Sequence, residues 1–179
     1  MDMKRVMQLL TVVLATVLLS ATTSQAQSRG KVGKIEYNSA YNYEVATVAV
    51  GVDGTKLVKV WGYGKKPEDA IHNAKELAIA CAIFRGFPAA SNGRAAKTPA
   101  IVTDSDAADK HAAFFETFFA PGGKYLQYVN LSTDAPPSGA DRVKMKKGYK
   151  VGVVVSVAFD ELRKDLEKEG IARRLDAGF

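Results

Sequence analysis

YEVATVAVGVDGTKLVKVWGYGKKPEDAIHNAKELAIACAIFRG, residues 43–86, decides the fold. It reads as strand, tight turn, strand and long helix. The strands, residues 43–51 and 56–63, are rich in valine and aromatic side chains. Between them stands Asp53-Gly54, a dipeptide suited to the two positive φ angles of a two-residue hairpin turn. Both faces of the first strand are largely apolar: Val45, Thr47 and Ala49 on one, Ala46, Val48 and Val50 on the other. That pattern predicts a strand inside the sheet rather than at its edge. In the second strand Leu57, Lys59, Trp61 and Tyr63 share one face, and Val58 and Val60 share the other. The helix, residues 67–85, has a defined start and stop. Pro67 fits its first turn, Glu68 and Asp69 complement its dipole, and Gly86 followed by Pro88 ends it. Its apolar stripe is Ala70, Ala74, Leu77, Ala78, Cys81 and Phe84, and the alanines permit a close approach to the strands. Ile79 and Ile83 point elsewhere and call for a second cover.

Downstream, residues 87–100 read as a loop, with Asn92-Gly93 and Pro99 as turn signals. Residues 107–120 read as a helix that supplies the missing cover through Phe114, Phe115, Phe118 and Phe119, and Pro121-Gly122-Gly123 stops it. Residues 125–131 read as a strand. Residues 142–147 alternate basic and apolar. Residues 149–159 are the most apolar run and are expected at the centre of the sheet. Asp160 opens a last helix, residues 161–169, expected on the surface because Leu162 and Leu166 alone offer it a buried face. Strands, helices, strands and helix follow one another through hairpin-like links, without strict strand–helix alternation. The fold class this predicts is α+β, a mostly antiparallel sheet with helices packed on one face, in a single domain spanning residues 27–179.

Residues 1–26 have the pattern of a secretory signal peptide. Lys4 and Arg5 precede an apolar run over residues 6–19, and Ser24 and Ala26 stand where a signal peptidase reads small residues. Export is the expectation, with cleavage before Gln27, no transmembrane span after signal cleavage, and a periplasmic or peripherally outer-membrane-associated location. With no cysteine near the cleavage site, a lipoprotein anchor has nothing to attach to. The net charge of +6 favours an acidic partner, and nucleic acid is a poor match for an exported chain. The only cysteine is Cys81, so stability must come from the core rather than from a disulfide.

Chemistry is sparse. Gly62-Tyr63-Gly64-Lys65-Lys66-Pro67 begins like a dinucleotide-binding fingerprint, but Pro67 replaces the third glycine and no βαβ unit surrounds it. Structurally it is a strand-to-helix connection; functionally, a helix N-terminus flanked by Lys65 and Lys66 attracts an anion. Gly122-Gly123-Lys124 is no P-loop, because Phe118 and Tyr125 occupy its obligatory glycine and hydroxyl positions. His72 and His111 are the only histidines, with His72 on the polar side of its helix. Cys81 lies among alanines, as an inert packing thiol does. No metal-ligand spacing and no acid–base pair of carboxylates can be assembled, so no catalytic residue, cofactor or metal is assigned and the chain is not read as an enzyme. Five positive charges crowd residues 142–150, among them Arg142, Lys144 and Lys146. They either meet an anionic surface or protect a sheet edge from aggregation. The candidate anion or partner contacts are therefore Gly62, Gly64, Lys65, Lys66, Arg142, Lys144 and Lys146.

Two segments carry a resemblance. Val58-Lys59-Val60-Trp61-Gly62-Tyr63-Gly64, followed by the alanine-rich helix from Ala70, resembles the N-terminal module of the flagellar ring protein FlgT and related small outer-membrane lipoproteins. Gly148-Tyr149-Lys150-Val151, leading through Val155 and Val157 to the Leu162/Leu166 helix, is similar to that module's closing strand and helix. The chain differs in lacking a lipid-attachment cysteine and in carrying the Phe-rich segment 87–123. The resemblance implies an envelope assembly or interaction module, with no catalytic residues. Envelope proteins or an anionic envelope surface are then the expected partners. The alternative is a periplasmic small-ligand or anion-binding protein built around Gly62 to Lys66 and Trp61. A deep pocket lined by Trp61 favours the alternative; an open apolar or basic patch favours the interaction module.

Overall fold

The hairpin forms as its turn dipeptide requires. β1 (Val45–Val50) and β2 (Thr55–Gly64) pair antiparallel, with Asp53 at φ 53° and Gly54 at φ 71° between them. The computed structural model describes residues 44–174, so Tyr43, the signal-like residues 1–26 and the polar segment 27–42 lie outside the described residues. All described elements belong to one compact unit.

Every strand pairing is antiparallel. β5 (Gly148–Ala158) is central, as its apolar run predicts. One edge of β5 pairs with β2 from Gly64↔Tyr149 to Thr55↔Ala158. Its other edge is shared by β4 (Arg142–Met145) near its start and β3 (Val129–Leu131) near its end. β1 departs from expectation: among the described residues it is an edge strand. A register shift between Thr47 and Ala49 interrupts its ladder, and Val48 and Val50 stay 37% and 47% exposed. Valine there satisfies strand geometry without being buried, and a bulge is a common way to blunt an edge.

The helix α1 (Pro67–Phe84) crosses β2 and β5 on the face that carries Val58, Val60, Val151, Val153 and Val155. Its C-terminal half is buried all round, Ile79, Ala80, Ala82 and Ile83 as well as Cys81. The extra cover is the loop after Gly86. In it Ile101 N–H donates to Ala82 O at 3.1 Å and Val102 N–H to Ile83 O at 2.8 Å. The Phe-rich segment completes the cover, but as two short helices, α2 (Ala107–Lys110) and α3 (Ala112–Phe118), broken at His111 where φ is −114°. Phe115, Phe118 and Phe119 are buried, while Phe114 is half-buried and stacked on Phe118 at 5.4 Å. Phe84 meets Phe115 at 5.1 Å, which ties α3 to the end of α1.

The predicted strand 125–131 is half a strand. Lys124–Tyr128 is a 3-10 turn, and β3 begins only at Val129. Tyr125 and Tyr128 are both buried, and a three-residue period puts them on the same side, whereas strand alternation would separate them. α4 (Phe159–Lys168) follows β5 directly and buries Phe159, Leu162 and Leu166 in the common core. Asp160 packs against the β1–β2 turn: a Cβ on Gly54 would lie 1.9 Å from its carboxylate. No helix among the described residues is long and apolar enough to cross a membrane.

Candidate functional site

The two glycines of the G-x-G-K-K stretch are fixed by packing. Gly62 is buried under α1: a Cβ there would meet Ala70 O at 2.0 Å and Ala74 N at 2.6 Å. At Gly64 it would meet Ala70 N at 2.4 Å. Helix and strand therefore touch backbone to backbone at the start of α1. The connection is held by its own side chains: Lys66 N–H donates to Asp69 Oδ2 at 3.1 Å, and Asn73 Nδ2 donates to Tyr63 O at 2.7 Å. Asp69 and Glu68 place acid at the helix terminus. What the stretch presents to solvent is the pair of exposed lysines, Lys65 and Lys66.

The second candidate cluster lies at the same end of the sheet. β4 and β5 turn at Lys146-Lys147, and Gly148 takes φ 131° where a Cβ would lie 2.3 Å from Gly64 O and 3.4 Å from Lys65 Cα. Register aligns Lys144 with Tyr149 and Gly64, and Arg142 with Val151 and Gly62. Two strand spacings, about 10 Å, separate Lys144 from Gly64. Lys65, Lys66, Arg142, Lys144, Lys146 and Lys147 thus share one end of the sheet, all of them exposed. Arg142 lies over the Tyr149 ring at 5.5 Å. Among the described residues none of the five lysines joins an ion pair.

Beside this end, on the sheet face turned away from α1, Trp61 lies on Gly152: a Cβ at Gly152 would be 2.9 Å from the indole. Lys150 and Lys59 stand over its ring at 4.8 and 5.3 Å. Both lysines are themselves paired, Lys150 with Glu44 at 2.5 Å and Lys59 with Asp141 at 2.6 Å. Tyr63 O–H also donates to Glu44, at 2.8 Å. Bonds from Lys150 and Tyr63 hold the Glu44 carboxyl below the usual range, and the same pairing raises Lys150. Trp61 is therefore capped by two paired ammonium groups. A shallow depression lined by Tyr128, Glu161, Lys164 and Asp165 lies along α4, and Trp61 takes no part in it.

The remaining candidates are structural. The Cys81 thiol is buried, donates to Gly86 O at 3.1 Å and is pushed up to about 12 by burial. His72 pairs through Nε2 with the Tyr125 hydroxyl at 2.9 Å, so its side of α1 is covered rather than open. No group of three or more His, Cys, Asp or Glu gathers for a metal among the described residues. The Glu44–Tyr63–Lys150 network escapes sequence reasoning, since it depends on the strand register. No protein-family model, curated protein or solved structure matches the chain.

Proposed function

We propose that this chain is an exported interaction module of the cell envelope, periplasmic or peripherally bound to the outer membrane, and without catalytic activity. One observation carries the reading: two segments remote in sequence, 64–66 and 142–147, place their exposed cations at a single end of the sheet. Such a patch suits an anionic surface better than a small ligand, because its charges line an open edge instead of converging in a cavity. The secretory pattern of residues 1–26 and the FlgT-like strand-and-helix segments support the same reading. The small-ligand alternative centred on Trp61 has less support, since Lys59 and Lys150 already cover that ring.

The test combines location with contact. In cells making the tagged chain, mass spectrometry of the envelope fraction should find Gln27 at the N-terminus. A photo-crosslinking residue in place of Met145, which needs no lysine to react, should join the chain to envelope components, and the variant Lys65→Glu/Lys66→Glu/Lys144→Glu/Lys146→Glu carrying it should lose those products while melting like the parent. Retention in the cytosol, or crosslinks indifferent to the charge reversal, would overturn the proposal.

A further inference from the structure

The hairpin that carries the cations also exposes apolar side chains. All four residues of β4 are exposed. Val143 and Met145 alternate with Arg142 and Lys144, and they are 44% and 42% exposed. Register sets Val143 beside Lys150 and Lys150 beside Tyr63, itself 39% exposed. Val143, Met145 and Tyr63 thus sit on one sheet face at the basic end, with Arg142 and Lys144 on the other face of the same strand and Lys65, Lys66, Lys146 and Lys147 at the end itself. From this juxtaposition we infer that the β4–β5 hairpin docks on an anionic lipid bilayer, its lysines on the phosphates and Val143 and Met145 entering the headgroup boundary.

Two features favour lipid over other anions. First, the cations are nearly all lysine, whose compact charge on a flexible stem suits a diffuse phosphate layer; a bidentate site for one defined group calls for arginine forks. Second, the apolar side chains gain nothing against a soluble polyanion, but on a bilayer they leave water, as interfacial segments with basic and apolar faces do. Long lysine stems can reach phosphates while neighbouring apolar groups sit deeper. The inference rests on the envelope reading above and names the chemistry of the surface met there.

The test uses the protein purified from its producing cells and vesicles of phosphatidylglycerol with phosphatidylethanolamine, against phosphatidylcholine alone. Cosedimentation should occur with the anionic vesicles only and weaken steeply with salt. Each lysine near such a surface contributes about fivefold, so Lys65→Ala/Lys66→Ala should weaken binding roughly 25-fold. Val143→Ser/Met145→Ser should weaken it roughly tenfold and leave the melting temperature unchanged, because both side chains are already exposed. An environment-sensitive dye on Met145→Cys reports depth directly, since the buried Cys81 thiol does not compete for the label. A blue shift on anionic vesicles, quenched by lipid-borne nitroxides, supports insertion. No sedimentation, or binding with an unshifted dye, overturns the inference. Charge-dependent crosslinks to an envelope protein without vesicle binding would remove the lipid docking and leave the interaction module standing. Cytosolic retention would remove the module itself.

Discussion

Gly62→Ala is the sharpest perturbation of this fold. A methyl at that position would lie 2.0 Å from Ala70 O and 2.6 Å from Ala74 N, both backbone atoms of α1. Ordinary contact begins near 3.4 Å, so the helix must retreat by about 1.4 Å or the strand must bow away. A gap even smaller than that forfeits a quarter to a half of the dispersion between facing surfaces. The surfaces concerned are Ala70, Ala74, Leu77 and Ala78 against Val58, Val60, Val151 and Val153. Overpacking typically costs 1–3 kcal/mol, and a backbone-to-backbone clash belongs at the top of that range, about 3 kcal/mol. For a domain of this size that is a fall in Tm of roughly 6–12 °C. Gly122→Ala is the control: its φ is 76°, but nothing lies within 4 Å, so only left-handed strain of about 1–2 kcal/mol applies. Differential scanning calorimetry of both variants decides. Gly62→Ala melting within 2 °C of the parent, or falling less than Gly122→Ala, would refute the close-approach reading. Lost partner binding at unchanged stability would return Gly62 to the binding site.

Native Cys81 should resist a thiol reagent at pH 8 and react stoichiometrically only in denaturant, because burial pushes its pKa up to about 12; complete labelling within the mixing time would contradict that burial. Asp165 pairs with Lys124 at 2.5 Å and accepts from the Tyr128 hydroxyl, which holds its carboxyl below the usual range. A folded pKa below the unfolded one gives stability that is full above about pH 4 and lost as pH falls through the folded value. Urea midpoints measured from pH 5 to pH 2 should therefore fall less for Asp165→Asn than for the parent, and equal acid slopes would exclude the contribution.

Much of the architecture is legible because local signals agree with one another. Asp53-Gly54 dictates its turn, Pro67 and Gly86 bracket α1, and the valine run of β5 requires a central place. The misreadings share a cause. The edge position of β1, the break at His111 and the 3-10 turn before β3 are set by what packs opposite them, and local pattern carries no record of that. The strand reading of residues 125–131 holds only from Val129, because the burial of both Tyr125 and Tyr128 keeps residues 124–128 in a 3-10 turn. Each candidate contact is visible as a residue, but their union is not. Lys65 and Lys144 become neighbours only through the pairings Gly64↔Tyr149 and Lys144↔Tyr149.

That dependence on β5 bears on how the basic end works. The strand that aligns the two cationic segments is the one whose Val151, Val153, Val155 and Val157 anchor the core. The hairpin is thus an extension of the most buried strand, and its charges are held by the ladder instead of by a free loop. A pre-positioned patch loses little freedom when it meets a surface, so its lysines need no ordering on contact beyond their own stems. Because those stems are exposed and unpaired among the described residues, their removal should alter contact and spare the fold. Substitution beneath them, at Gly64 or Gly148, should do the reverse. Backbone atoms occupy the space a side chain would need there, at 2.4 and 2.3 Å, and the damage reaches the charges only through the displaced strand.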